Sequence, residues 1–319
     1  MEIELSVLIP VRDEANNIPV LTDRVKETLH QMSISFEIIF ITDVNKDDTV
    51  KVLREQHQHD NRVKFLKFSR SYGQHVAVFA GLQYSSGNYA VIMDGDLQDL
   101  PEDIPLLYQK SKAGYDIVYG IKESKNQSSV RNFISKSFLR LISKLSDVPM
   151  DFNTNMFRVI SRKAVNEVLK YHEIEPSLTF IMGSLNLPTE KVLVSSGKRF
   201  MGKTKYNFSR QLGFAITSLL SFSTKPIIYV SILGLVISLI SFFYFLFVIF
   251  QRMLLGIGVL GWPTIIALIT LLGGMQLFAI GIIGQYIGKI FLQTKNRPLF
   301  IIEERSGIDE YINQNPSIH

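Results

Sequence analysis

The sequence has no cysteine, which excludes disulfides, thiolate nucleophiles and thiolate-bound metals. Charge is the next thing missing, and it is missing locally. From Ile227 to Phe250 there are 24 residues without a single Asp, Glu, Lys or Arg, and after Arg252 none appears until Lys289. A helix of the first stretch, at about 1.5 Å per residue, would reach roughly 36 Å and exceed a hydrocarbon core of about 30 Å. A soluble globule of one domain is therefore not the expectation for 319 residues so unevenly apolar. The opening Met1-Glu2-Ile3-Glu4 lacks a basic segment, so no cleaved signal peptide is expected. The net charge of +5 is modest, and its basic residues cluster beside the apolar spans. Anionic headgroups account for that cluster more simply than nucleic acid does, and no nucleic-acid partner is expected.

What is present completes the membrane reading. Gly256, Gly258, Gly261 and Pro263 interrupt helical continuity between the two spans, which predicts a hairpin with crossings over 227–250 and 262–288. Lys198, Arg199, Lys203, Lys205, Arg210 and Lys225 precede the first crossing, Lys289, Lys295 and Arg297 follow the second, and only Arg252 lies between. The positive-inside rule then puts both termini and the N-terminal region in the cytoplasm. Within 209–226, the stretch from Ser209 to Phe222 has apolar residues at helical spacing behind a basic start. That suits a helix lying in the interface, although a core helix fits the same pattern. Residues 289–319 form the cytoplasmic tail, in which Leu299-Phe300-Ile301-Ile302 reads as a short strand.

Up to about Leu145, short apolar runs alternate with amphipathic segments, the pattern of strands joined by crossover helices around a mostly parallel sheet. Strands are expected at Leu5 to Ile9, Phe36 to Ile41, Val63 to Phe68, Tyr89 to Met93 and Asp116 to Tyr119. In such α/β sheets ligands bind beyond the carboxyl ends of the strands, so the loops Pro10 to Asn17, Thr42 to Asp48 and Asp94 to Asp99 converge on one crevice. The last of these, Met93-Asp94-Gly95-Asp96-Leu97-Gln98-Asp99, sets two carboxylates one residue apart directly behind a buried strand. Hard divalent cations bind through one or two carboxylates plus substrate phosphates, which this loop could provide, but short acidic turns also occur for purely local reasons. The segment 146–208 has weaker periodicity and reads as the acceptor-side part of the same domain, 1–208.

Taken together, SVLIPVRDEANNI, SRSYGQHVAVFAGL, MDGDLQD, GKTKY, SFSTKP, the paired spans and GQYIGKIFLQTKNRPLFII resemble the inverting family 2 glycosyltransferases with a GT-A fold. The resemblance is to the branch that loads sugars onto polyisoprenyl phosphate, which includes dolichyl-phosphate mannose synthase and the GtrB-type bactoprenol glucosyltransferases. It implies a Rossmann-like α/β catalytic domain followed by a two-helix transmembrane hairpin. It implies that Asp94 and Asp96 bracket Mg2+ or Mn2+ and the donor diphosphate, with Gln98 in the same pocket and Arg70 near the phosphates as a further catalytic group. Pro10, Arg12, Glu14, Thr42, Asp43 and Asp94 are implied on the nucleotide-sugar side. Arg199, Lys203 and Lys205 are implied to hold the lipid phosphate, where attraction to headgroups would also suffice to explain them. From the residues alone, Glu14 could instead cap a helix, Asp43 stabilise its own turn and Arg70 lie free on the surface.

The implied reaction is inverting transfer of a hexose from a UDP-sugar, such as UDP-glucose, to undecaprenyl or dolichyl phosphate at the cytoplasmic membrane face, by a homo-oligomer. Three departures stand against it. Relatives read Asp-Asp-Gly-Ser where this chain has Thr42-Asp43-Val44-Asn45, and Gly-Asp where it has Asn155-Met156 before Phe157-Arg158; Gln285 replaces a family Glu. Asp151 lies five residues before Met156 and is a substitute acid for that loop. A phosphate monoester with a second pKa near 6 is already dianionic at neutral pH, so such an acceptor needs no general base. The competing reading is a catalytically degenerate relative that binds nucleotide sugar or lipid phosphate as a partner or regulatory subunit.

Overall fold

The computed structural model describes residues 2–122, 156–171, 173, 176–195, 197, 225–255 and 261–308. Apolar runs and crossover helices alternate as the sequence suggests. The order is β1 (Leu5–Val11), α1 (Asn17–Gln31), β2 (Phe36–Thr42), α2 (Thr49–His59), β3 (Val63–Phe68), α3 (Gln74–Tyr84) and β4 (Tyr89–Ile92). A turn of 3-10 helix at Pro101–Asp103 leads into α4 (Ile104–Lys112), followed by β5 (Ile117–Lys122) and β6 (Arg158–Ser161). Then come α5 (Arg162–Val168), α6 (Leu178–Ser184), β7 (Thr189–Val194), α7 (Lys225–Leu255), α8 (Trp262–Thr294) and β8 (Ile302–Ser306).

The eight strands form one sheet in the order β7-β5-β6-β4-β1-β2-β3-β8. Pairings β4-β1, β1-β2, β2-β3 and β5-β7 are parallel, while β4-β6, β5-β6 and β3-β8 are antiparallel. This is the mostly parallel α/β sheet expected, with two differences. First, β6 inserts antiparallel between β4 and β5, so the fifth strand is not β4's neighbour; Ile92 pairs with Arg158 on β6 instead. Second, the C-terminal strand begins where the expected one ends, at Ile302 rather than Leu299. Leu299, Phe300 and Ile302 serve as packing residues against the core beside Phe68.

Strand residues alternate between two cores, one on each face. Leu5, Val7, Ile9 and Val11 of β1 join Ile38 and Phe40 of β2 beneath α1, whereas Leu8, Ile39 and Ile41 face α3 on the other side. Because both faces are covered, apolar residues fill successive strand positions rather than every second one, as in Val7-Leu8-Ile9 and Ile38-Ile39-Phe40-Ile41. Each fully buried Leu, Ile or Phe contributes about 1.5–3 kcal/mol relative to exposure. Helix α3 is buried along most of its length, from Val76 to Leu82, which is why its apolar residues show no single stripe.

Helices α7 and α8 belong to a second compact unit. Each contains a stretch long and apolar enough to cross a membrane, Ile227–Tyr244 and Leu272–Thr294, and neither stretch is buried. A core helix of a soluble domain would be covered; here Leu235, Phe243 and Leu277 stand exposed. Helix α8 runs past Lys289 to Thr294 and stops where Asn296 adopts φ 45°, followed by Pro298.

A buried polar cluster ties the opposite end of the sheet. The Glu37 carboxylate, 1% exposed, accepts from Lys64 Nζ at 2.7 Å, Ser6 Oγ at 2.6 Å, and Ser86 N and Oγ at 2.8 Å. Burial pushes its pKa up, but the Lys64, Ser6 and Ser86 hydrogen bonds outweigh burial and leave it below 4.5. A depressed carboxylate stabilises the fold above its ordinary value and loses that contribution as pH falls through its folded-state value. Removing one partner of such a pair leaves a buried charge uncompensated. Glu37→Ala is therefore expected to cost about 3 kcal/mol or more at pH 7. Melting followed by circular dichroism should show the gap between wild type and variant narrowing as the pH is taken below 4.5.

Candidate active site

Because β4, β1, β2 and β3 are adjacent and parallel, their carboxyl ends share one edge, and the loops 93–100, 10–17, 42–48 and 69–73 follow each other along it. Backbone and side chains stitch neighbouring loops together. Asp13 N donates to Asn45 Oδ1 at 2.9 Å, and Asp13 Oδ1 accepts from Lys46 N at 2.6 Å; these bonds hold Asp13 at φ 56°, which an Asp tolerates. Ala15 N donates to Asp47 Oδ2 at 3.1 Å and Glu14 N to Thr49 Oγ1 at 3.0 Å. Asp43, nearly buried, accepts from Ser71 Oγ at 2.6 Å and Tyr72 N at 3.4 Å, and Arg12 reaches Ser71 Oγ at 3.3 Å.

These contacts place the expected nucleotide-side residues. Pro10 is the last residue but one of β1, opposite Ile41. Thr42 is fully buried, and its hydroxyl accepts from Asn45 Nδ2 at 2.8 Å. The Glu14 carboxylate accepts from Asn17 Nδ2 at the start of α1, while Val44 projects half-exposed from the same edge. Arg70 is exposed and lies over the Tyr72 ring, with its Cζ 4.6 Å from the centroid. Burial raises the Tyr72 phenol's pKa, but hydrogen bonds to Arg70, Ser69 and the Ile301 backbone outweigh it, and the net shift is downward.

The acidic loop is compact. Asp96 Oδ1 accepts from Gln98 N at 3.1 Å, a local turn that carries Leu97 at φ 62°. Gly95 lies so close over β1 that a Cβ would come within 2.6 Å of Val11 Cγ1, which accounts for the glycine between the two aspartates. Asp99 is buried, and its two oxygens are committed: Oδ2 accepts from Asp94 N at 2.9 Å and Oδ1 from Lys122 Nζ at 2.7 Å. Asp94 Oδ1 accepts from Gln74 Nε2 at 2.5 Å. Burial, then Asp99 and Asp96, push the Asp94 carboxyl up to about 7, against the pull of Lys122 and Gln74. Arg158 lies fully buried beside the end of β4, with its guanidinium 5.1 Å from the Tyr119 ring centroid and Nε donating to the Met156 carbonyl at 3.1 Å.

Among the described residues no group of three or more His, Asp or Glu side chains could hold a metal ion. The described residues present a pair, Asp94 and Asp96, whose hard oxygens fit a cation that takes its remaining ligands from phosphate and water. Behind that pair, Gly197 N donates to the Gln98 carbonyl at 3.1 Å, and Ser195 N to Asp103 Oδ2 at 2.9 Å. A Cβ at Gly197 would come within 2.3 Å of the Leu97 carbonyl oxygen. Arg199, Lys203 and Lys205, two to eight residues further on, lie outside the described residues, as do Asp151 and Asn155.

The glycosyl transferase family 2 model matches residues 6–169, which span this whole edge. The chain belongs to that family. It is 35% identical over 310 residues to an uncharacterized glycosyltransferase of Synechocystis, sll0501, covering 97% of this chain and 98% of that one. It is 32% identical over 302 residues to the SfII prophage-derived bactoprenol glucosyl transferase of Shigella flexneri, covering 94% and 98% respectively. Among solved structures, a mannosyltransferase from Pyrobaculum calidifontis, in complex with GDP-Man and Mn2+, superposes with a TM-score of 0.50 at 14% identity. That likeness covers 69% of this chain and 64% of the other, just under two thirds, and it supports the GT-A fold.

In this glycosyltransferase, residues that the motifs did not single out do much of the positioning. Gln74 follows SRSYG and grips Asp94, Lys122 ends β5 and takes Asp99, and Gly197 ends a segment with no recognisable pattern. The one signal available beforehand was Asp99 itself, a third carboxylate in a run that needs a cation.

Two variants test this geometry. A carboxylate whose folded pKa is raised costs stability above that pKa and nothing below its ordinary value of 3.8. Asp94→Asn should therefore raise the melting temperature of the ligand-free protein at pH 8 and leave it unchanged near pH 4, while removing sugar transfer. Gly197→Ala must displace the acidic loop, and misplacement on the ångström scale lowers turnover about tenfold to a hundredfold, measurable as kcat with saturating substrates.

Proposed function

We propose that this glycosyltransferase moves a hexose from a UDP-sugar, such as UDP-glucose, onto polyisoprenyl phosphate at the cytoplasmic face of a membrane, with inversion at the anomeric carbon. The observation that carries the reading is the Asp94 carboxylate, held beside Asp96 and Asp99 at the carboxyl end of β4 with Lys122 already spent on Asp99. Such a carboxylate is poised for a cation and a diphosphate. The name of the Shigella flexneri relative points to a bactoprenol acceptor and a glucosyl donor.

A divalent cation, Mg2+ or Mn2+, held by Asp94 and Asp96 would supply Lewis-acid stabilisation of the departing diphosphate. Gln74 and Asp99 orient Asp94, one through its carboxylate and the other through its backbone N–H. Arg12, which reaches Ser71, and Arg70 beside that serine offer guanidinium groups to the remaining phosphate charge. Asp43 braces the loop that presents Arg70, and Val44 is half-exposed on the same edge. The acceptor phosphate is dianionic at neutral pH, so its oxygen attacks without a general base, and Met156 in place of a family acid is compatible with turnover. Arg199, Lys203 and Lys205 would hold that phosphate.

The pairing of β8 with β3 supports the membrane arrangement. The chain leaves the catalytic sheet before α7 and rejoins it after α8, so the two helices between must cross an even number of times if they cross at all. That is a hairpin, with spans over 227–250 and 262–288 and with residues 1–208 and 289–319 on one side; the interfacial stretch expected from Ser209 to Phe222 lies outside the described residues. The excess of Lys and Arg on that side makes it cytoplasmic.

Purified protein in detergent, given polyisoprenyl phosphate, Mn2+ or Mg2+ and a panel of radiolabelled UDP- and GDP-sugars, should yield labelled lipid with a UDP-hexose. Asp96→Ala should lower this at least about a hundredfold, the scale of losing transition-state charge stabilisation. Labelled lipid from no donor would reject the proposal.

A further inference from the structure

The residues that follow α8 are not a free tail. Strand β8 pairs antiparallel with β3, matching Phe68 to Ile302 and Lys67 to Glu304, with Glu303 bulged between them. Charge fixes it further: Glu304 receives Arg54 through two bonds of 2.7 Å, and Glu303 receives Lys67 Nζ at 2.7 Å. The approach to this strand touches the loop that carries Arg70. Ser69 N donates to the Ile301 carbonyl at 3.0 Å. Phe300 stacks on Phe68 at 5.4 Å between ring centroids, Phe68 meets Tyr72 edge-on at 5.4 Å, and Tyr72 underlies the Arg70 guanidinium at 4.6 Å.

From these contacts we propose that Phe300 and Ile301, with β8 behind them, are positioning residues for the donor site: they hold the 69–73 loop so that Arg70, Ser71 and Tyr72 meet the nucleoside diphosphate. This rests on the donor reading given above. One end of the aromatic row is Phe300, on the segment that leads from α8 into β8, and the other is the Arg70 cation on the loop after β3. The same loop also carries Ser71 and Tyr72 N, the two donors to Asp43. Removing the Phe300 ring takes away one side of the stack that orients Tyr72, while the β3 pairing remains to keep the sheet closed. A strand that only protected the edge of β3 from pairing with other chains would change stability and solubility but leave donor affinity alone.

The test uses the full chain in detergent with UDP and Mn2+ as the probe. Calorimetry measures UDP affinity, and steady-state assays give KM separately for donor and lipid. Phe300→Ala should weaken UDP binding and raise donor KM about three- to tenfold, the range one lost aromatic contact supports, with the lipid KM unchanged. Phe300→Tyr should restore both. If Phe300→Ala does not fold, Glu304→Arg carries the test, since it sets like charges against Arg54 and Lys67. It should weaken UDP binding, and adding Arg54→Glu should recover it. Unchanged UDP affinity in folded Phe300→Ala or Glu304→Arg protein, or equal rises in both KM values, would overturn the inference while wild-type binding keeps the donor reading intact. Wild-type protein that binds neither UDP nor GDP would overturn the donor reading, and this inference with it.

Discussion

Asp94, Asp96 and Asp99 lie within six residues, and the way Lys122 is used among them governs the chemistry of the loop. Lys122 is drawn to Asp99, which is buried and would be costly to leave charged without a partner. Asp99 in turn accepts the backbone N–H of Asp94 and closes the loop on itself. The result is that Asp94 holds its carboxyl in a desolvated place beside two other aspartates, which raises its pKa to about 7, and among the described residues it is the neutral amide of Gln74 that bonds its carboxylate. A lysine shared with Asp94 would quench the site. Spent on Asp99, it builds the loop and leaves Asp94 with an electrostatic need that a cation and phosphate can meet.

The sheet decides what surrounds that carboxylate. Four adjacent parallel strands deliver four consecutive loops to one edge, and three of them, 10–17, 42–48 and 69–73, are bonded each to the next through side chains. Asp13, Asn45, Asp47, Asp43 and Ser71 form this lateral chain. Loops so cross-linked cannot move singly, so the edge is a preorganised surface. The substitution of Thr42 for a family acid is absorbed within the chain: its hydroxyl takes Asn45, and Asn45 takes the Asp13 backbone. Val44, by contrast, is half-exposed at the edge.

Local pattern made the parallel half of the fold legible. Val7 to Ile9, Ile38 to Ile41 and Ala90 to Met93 are continuous apolar runs because both faces of the sheet are covered, and DGD sits at the end of the last of them. What depends on contact between distant residues was not legible. Nothing local says that Arg158-Val159-Ile160-Ser161 inserts between β4 and β5, since a four-residue strand can pair with either. The Asp99–Lys122 pair joins residues 23 apart with no motif spanning them. The last strand was misplaced by three residues because its sequence, IEERS, is polar: it lies at the sheet's edge and is held by ion pairs, whereas Leu299 to Ile302 are the apolar residues that pack.

That displacement bears on how such a protein is anchored. Had the apolar residues formed the strand, the charged ones would trail into solvent and the tail could detach without consequence. Instead Glu303 and Glu304 pair with Lys67 and Arg54 on the catalytic sheet, and Phe300 joins the same core as Phe68 and Tyr72. Exposed ion pairs contribute little singly, about 0–1 kcal/mol, so main-chain pairing and the packed ring contribute most of the attachment. The chain therefore returns to the catalytic sheet after α8 and adds a strand to its edge, where Ile302 to Ser306 lie antiparallel to β3.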